Sequence, residues 1–225
     1  MTKQNWHRIY SAGEQLNRYP YDFVVSSFFR YRINKTDSKT ISVLDLGCGA
    51  GNHALFCAEN GAEVLAVDYS SAALDVVNQR ASEHGLDNRI NTLQVDFENF
   101  QLPQTGFDIV IDRLAVSHVA KPHAQKVYDS VYDSLNHNGI VFANLFTSDH
   151  SHKNFGCYDA DKQVWHNFSD GIFEHLKTAC FYHEHEIKQL FRKYRLLSFV
   201  RETDTNMLNG EDQLETWEIV AQKTT

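Results

Sequence analysis

Only four of the 225 residues are cysteine, at 48, 57, 157 and 180, and no two of them form a C-x-x-C pair. Neither a zinc ribbon nor a thioredoxin-like redox motif can be built from them. Free thiols of this kind fit an intracellular setting. Long apolar runs are also missing. Ile140–Phe146 is strand-length, far short of the ~20 residues a membrane span needs. Met1–Tyr10 is polar and holds no apolar signal-peptide core, so a cytoplasmic location away from the membrane is expected. Positive charge is scarce: lysine plus arginine number 21 against 29 aspartate plus glutamate, a net charge of −8. That balance counts against broad electrostatic binding to nucleic acid. A basic cluster at Lys188, Arg192, Lys193 and Arg195 reads as a solvated helix face. No repeat, low-complexity tract or domain boundary interrupts the chain, so residues 1–225 are read as one domain.

Strand and helix patterns alternate along the sequence. Helical spacing covers Asp22–Ile33, Ala50–Asn60, Ser70–His84, Pro122–Leu135 and His183–Lys193, with Asn34–Thr40 a polar loop. Short β-branched or apolar runs at Ile41–Leu46, Glu63–Val67, Ile90–Val95, Phe107–Ile111 and Gly139–Phe146 predict strands, and Arg195–Arg201 and Glu215–Gln222 predict two more. This rhythm predicts an α/β fold with a largely parallel sheet and helices on both faces. Residues 147–182 break it. They are rich in histidine, glycine and aromatics, and read as an insertion over the substrate rim.

The strongest signal is Asp45-Leu46-Gly47-Cys48-Gly49-Ala50-Gly51, which follows a predicted strand and opens a predicted helix. Glycines there permit a tight turn and let a ligand approach the backbone. The next strand ends at Asp68, 21 residues after Gly47, where an acid can accept hydrogen bonds from ribose hydroxyls. The spacing is G-x-G-x-G rather than the dinucleotide G-x-G-x-x-G, and no G-K-[ST] follows. A carboxylate at 45 beside the loop repels a pyrophosphate and suits a cofactor with a cationic amine, such as S-adenosylmethionine. The competing reading of the glycines is a helix-packing turn without a ligand.

With these residues in register, the chain resembles the class I S-adenosylmethionine-dependent methyltransferases over roughly residues 40–225. VLDLGCGAGNHALFCAENGAEVLAVDYS is similar to the family's first two motifs, LQVDFENF to the acidic segment after strand three, and FDIVIDRLAVSHV to strand four and its loop. The resemblance implies a Rossmann-like seven-stranded sheet of order 3-2-1-4-5-7-6, with strand seven antiparallel. It implies that Gly47, Cys48, Gly49 and Gly51 line the methionine portion of the cofactor, with Asp45 near its amine. Asp68 would hold the ribose, Tyr69 would pack beside the adenine, and Asp96 and Phe97 would meet its amine and face. Asp112 and Arg113 would lie under the reacting end.

Strand four is not followed by the [DN]-P-P-[YF] sequence of adenine and glutamine-amide methyltransferases; Asp112-Arg113-Leu114-Ala115 stands there instead. That counts against nucleobase amines and glutamine amides as acceptors. His118 is the best candidate base, with an ordinary pKa near 6.5 suited to proton removal; a histidine packing a helix start is the alternative. His150 and His152 stand in reserve as loop residues. His150-Ser151-His152 and His183-Glu184-His185 place imidazoles two apart, but no H-E-x-x-H pattern occurs and no metal is expected. Residues 1–40 read as an N-terminal helical lid, the alternative being a helix against the sheet edge. As a lid, Tyr10, Tyr19 and Tyr21 would shape the substrate site, and Arg18 would pair with the cofactor carboxylate or an anionic substrate, with Arg113 as a second candidate anion clamp on the substrate. The expected function is methylation of a small molecule by a monomer or homodimer, with a tRNA or protein methyltransferase as the alternative. The segment N-R-Y-P-Y-D loosely resembles bacterial methyltransferases found with surface-polysaccharide genes, which implies a sugar or nucleotide-linked acceptor.

Overall fold

The computed structural model describes residues 2–32, 40–102, 105–176, 178–208 and 213–224. The predicted alternation builds one large sheet. Its first five strands are β1 (Ser42–Leu46), β2 (Glu63–Asp68), β3 (Ile90–Gln94), β4 (Phe107–Arg113) and β5 (Leu135–Phe146). Three short strands follow, β6 (Cys157–Asp159), β7 (Val164–His166) and β8 (Thr178–Ala179), then β9 (Tyr194–Thr205) and β10 (Gln213–Lys223). The helices are α1 (Thr2–Ser11), α2 (Asp22–Arg32), α3 (Asn52–Glu59), α4 (Ser71–Glu83), α5 (Lys121–Ser134) and α6 (Glu184–Leu190). Sheet order is β3-β2-β1-β4-β5-β10-β9, and β10 runs antiparallel to both neighbours. This is the expected class I order with its antiparallel last strand.

Sequence explains the layers. β4 reads FDIVIDR and is buried on both faces, as a central parallel strand must be. Val110 turns toward α5 and α6, where it joins Val127, Tyr128, Val131 and Phe191. Ile109 and Ile111 turn the other way, toward Val24 and Phe28 of α2, Leu55 of α3 and Val77 of α4. Ser70 caps α4 by accepting the Ala73 N–H at 3.2 Å, as its residue type predicts.

Two predicted features differ. β9 and β10 are longer than their apolar runs because their outer ends form an exposed hairpin around Glu202–Thr205, where no core demands apolar residues. Residues 147–182, which show no repeating unit in sequence, contain the antiparallel sheet β6-β7-β8 over an aromatic cluster of Phe146, Phe168, Phe173 and Phe181. The predicted helix end at Ile33 and loop residues 34–39 lie outside the described residues.

Gly51 shows how tightly α3 and α4 meet. It caps α3 with φ 79°, and a β-carbon there would stand 2.9 Å from Val77 Cγ2. A Gly51→Ala variant is expected to lose about 1–3 kcal/mol of stability, through left-handed backbone strain plus overpacking. Urea unfolding checks this; an unchanged midpoint would refute the packing role.

Candidate active site at the glycine loop

The loop leaving β1 is held by its neighbours. Cys48 N–H donates to the Val67 carbonyl at 2.9 Å, and Gly49 N–H donates to Asp68 Oδ2 at 3.0 Å. The other Asp68 oxygen accepts the Ser70 N–H at 2.8 Å. Asp68 thus ties the loop to the start of α4 and also lines the cavity beside it. Gly47 and Gly49 have φ of 60° and 52°. A β-carbon on Gly47 would meet Ala115 Cβ at 2.3 Å, and one on Gly49 would meet Tyr10 Oη at 2.4 Å. Glycine is required here because the β4 loop and α1 both press on this turn.

The cavity has a volume of about 1410 Å³, larger than the ~300–1,000 Å³ common for one small-molecule pocket. One half is walled by Tyr69, Asp96, Phe97 and the glycine loop, and the other by Arg113, His118, His123 and insertion residues such as Asp159, Lys162 and His166. Trp6 and Tyr10 of α1 line it as well, their rings 5.9 Å apart, and Trp6 meets the His118 ring edge-on at 5.4 Å.

Three carboxylates end adjacent strands behind this cavity. Asp45 is buried on β1; it accepts the Ala54 N–H, and its Oδ2 has no partner. Burial, with Asp68 and Asp112 nearby, pushes its pKa up to about 8. Burial also pushes Asp112 up, to about 6, against the hydrogen bonds it accepts. Tyr10 is raised by burial and by Asp68, Cys48 and Asp45. His118 is held in one tautomer. Its Nδ1 lies 2.7 Å from the Thr178 carbonyl, which can only accept, so Nδ1 carries the proton and Nε2 the lone pair. Burial lowers its pKa, the Thr178 contact opposes that, and the Arg113 charge lowers it further.

Of the residues singled out from sequence, Asp45, Gly47, Cys48, Gly49, Asp68, Tyr69, Asp96, Phe97, Arg113, His118, Tyr10 and Tyr21 line one cavity. Four do not. Asp112 is fully buried, with Val116 N–H on Oδ1 and Tyr128 Oη on Oδ2; it positions the 113–118 loop from behind. Gly51 faces Val77 rather than the cavity. Arg18 is exposed, because Arg80 takes the inward place by donating to the carbonyls of Leu16, Asn17 and Ala50. Tyr19 is 80% exposed, and only its carbonyl is engaged, by Asn52 Nδ2 at 2.9 Å. Tyr10 stands against the glycine loop, with its Oη beside Gly49. His150 packs among Phe146, Phe173 and Phe181, and His152 Nδ1 accepts the Ile172 N–H, so both belong to the insertion's interior. Trp6 belongs to the segment expected to form the lid, and its i, i+4 spacing to Tyr10 marks one helix face. Among the described residues no cluster of three or more His, Cys, Asp or Glu is arranged to hold a metal. No described helix is long and apolar enough to cross a membrane.

Residues 43–139 match the family described as a methyltransferase domain. The chain is 28% identical over 109 residues to a carboxy-S-adenosyl-L-methionine synthase of Campylobacter jejuni, covering 46% of this chain and 43% of that protein. It is 33% identical over 110 residues to a ubiquinone biosynthesis O-methyltransferase of Pasteurella multocida, covering 44% of each. The matches span less than half the length of these curated relatives. Among solved structures, a Burkholderia thailandensis 1,6-didemethyltoxoflavin-N1-methyltransferase with bound S-adenosylhomocysteine superposes with a TM-score of 0.68 at 16% identity, over 99% of this chain and 87% of that one. That likeness is one of fold. Residues 43–139 thus match a methyltransferase domain, and the fold is one shared with a solved methyltransferase that binds S-adenosylhomocysteine.

The residues present fit that cofactor. Asp45 offers an unpartnered buried oxygen to its ammonium, and the two left-handed glycines leave backbone open beside it. Replacing Gly49 by alanine should push Tyr10 and α1 off the loop and weaken S-adenosylhomocysteine binding at least tenfold. Calorimetry on Gly49→Ala and on Gly49→Ala/Tyr10→Ala checks this; equal losses in both would remove Tyr10 from the account.

Proposed function

We propose that the protein transfers a methyl group from S-adenosylmethionine to a hydroxyl of a small molecule. The orphaned Oδ2 of Asp45 carries the reading, because a buried half-satisfied carboxylate asks for a cation. Gly47, Cys48 and Gly49 would line the methionine portion, Asp68 the ribose through its remaining lone pairs, and Tyr69, Asp96 and Phe97 the adenine. The bound cofactor supplies an electrophilic methyl: the oxygen–carbon bond forms as the carbon–sulfur bond breaks, with its electron pair left on sulfur. His118 Nε2 receives the hydroxyl proton. Its Nδ1–H, anchored on Thr178, fixes the ring for that task. Trp6 and Tyr10 act as a lid that excludes water from the reacting end.

A small acceptor is supported by the net charge of −8 and by a cavity that both α1 and the insertion line. These features disfavour a tRNA or protein acceptor and nucleic acid as a partner. A sugar or nucleotide-linked precursor is a finer reading within this class. We further read the protein as cytoplasmic and as a monomer or homodimer.

Two measurements test the reading. Asp45 has its pKa raised from 3.8 to about 8, so between those values the folded protein holds a proton that the unfolded chain lacks. Its contribution to stability therefore falls as pH rises through that window. A bound ammonium opposes the shift, and S-adenosylhomocysteine binding at pH 7 should release a proton from Asp45. Calorimetry in buffers of different ionisation enthalpy reads this; no release would count against Asp45 as the ammonium site. For His118→Gln, single-turnover methyl transfer should fall by about 10²–10⁴-fold while S-adenosylhomocysteine affinity holds. A wild-type rate would remove His118 from proton transfer.

A further inference from the structure

The cofactor and acceptor halves of the cavity divide along the sheet. The glycine loop leaves β1, Asp68 ends β2, and Asp96 and Phe97 follow β3, so the cofactor-binding groups sit over that side. Arg113 is the last residue of β4, opposite Asn144 of β5, and lies over the other side. Its guanidinium stacks 3.7 Å above the Tyr21 ring.

What distinguishes Arg113 is that its donors are unspent. Among the described residues it has no ion pair and no side-chain hydrogen bond. Asp112 and Glu218 attract the guanidinium from nearby, but among the described residues neither is hydrogen-bonded or ion-paired to it. Asp112 projects to the opposite face, with its oxygens on Val116 N–H and Tyr128 Oη. Glu218 of β10 is drawn to Asn144 and raised by burial and by Glu202. His53 is kept neutral by burial and by the Arg113 charge, at about 3. His118 feels the same charge, so Arg113 lies within electrostatic reach of the candidate base. Partly buried N–H donors without acceptors are costly. Stacking on Tyr21 occupies the guanidinium face and leaves its N–H edge free, the geometry that receives a planar oxyanion through two parallel hydrogen bonds.

We propose that Arg113 docks an oxyanion carried by the acceptor, which is therefore a small organic acid whose hydroxyl reaches His118. The oxyanion is a carboxylate or a phosphate ester; both present paired oxygens to the fork. Tyr21 is the positioning residue that holds the guanidinium in place. This proposal rests on the methyl-transfer reading and fails separately from it.

The test uses the full chain, label in the methyl of S-adenosylmethionine, and a small-metabolite extract. The extract is divided into untreated, phosphatase-treated and methyl-esterified portions. Labelled product should be retained on an anion exchanger at pH 8. Phosphatase treatment should abolish it if the anchor is a phosphate, and esterification if it is a carboxylate. Arg113→Gln should lower its formation at least tenfold and Arg113→Lys less, with S-adenosylhomocysteine binding within twofold of wild type in both. That last value also shows that the variants fold. An uncharged product, or wild-type formation by Arg113→Gln, would overturn the proposal alone. A tenfold loss of S-adenosylhomocysteine affinity in a folded Arg113→Gln would overturn it by moving Arg113 to the cofactor. No labelled product from any portion with wild-type protein would overturn the methyl-transfer reading, and this proposal with it.

Discussion

Three carboxylates at the ends of three adjacent parallel strands set the terms for the rest of the molecule. Asp68 ends β2, Asp45 stands near the end of β1, and Asp112 near the end of β4, all buried. Like charges so close in a low-dielectric interior must be compensated or protonated. Asp68 is compensated by backbone N–H groups of Gly49 and Ser70, which fixes the glycine loop. Asp112 is compensated by Tyr128 and Val116, which fixes the loop carrying Arg113 and His118. Asp45 alone is half-compensated. Two of the three acids build the scaffold, and the one left short of a partner marks where a cation belongs.

The same loops are clamped from outside. The insertion does more than fill the rim: Cys180 N–H donates to the Ser117 carbonyl at 2.6 Å, and Thr178 holds His118. Ser117 Oγ in turn accepts the Phe146 N–H at 3.2 Å, so the turn after β4 is bonded to β5 and to the segment around β8 together. On the opposite wall Arg80 pins residues 16 and 17 to the glycine loop through the Ala50 carbonyl. Candidate base and cofactor loop are each held by a segment distant in sequence. That arrangement suits a site that must align a nucleophile with a methyl group, where misplacement by an ångström is expensive.

Legibility in sequence followed distance along the chain. The strand–glycine–helix unit and Asp68 were readable because their spacing is local, the parallel α/β class followed from strand rhythm, and the sheet order from the resemblance those motifs carry. Asp112 and Arg113 were not separable, since adjacent strand residues point to opposite faces and only packing decides which face holds the cavity. Arg18 lost its place to Arg80, 62 positions away, a contest no local pattern records. Gly51 could serve ligand approach or helix packing equally well until Val77 was placed against it. The tautomer of His118 depended on a carbonyl 60 residues on, inside the segment whose pattern was least regular.

Charge finally links the two halves of the cavity. Asp45, Asp68 and Asp96 lie where the proposal puts the sulfonium, ammonium and nucleoside, and the Arg113 guanidinium lies where it puts the acceptor. Methyl transfer to a hydroxyl removes the positive charge from sulfur and places one on His118. The free Arg113 charge opposes that imidazolium. An oxyanion seated on Arg113 cancels the opposition, so the base gains proton affinity when an acidic acceptor is bound and loses it when the site is empty. A neutral molecule of similar shape would reach the same cavity and find a weaker base. Selection of the acceptor and activation of its hydroxyl would then be a single electrostatic event, centred on the Arg113 guanidinium, whose N–H edge has no acceptor among the described residues.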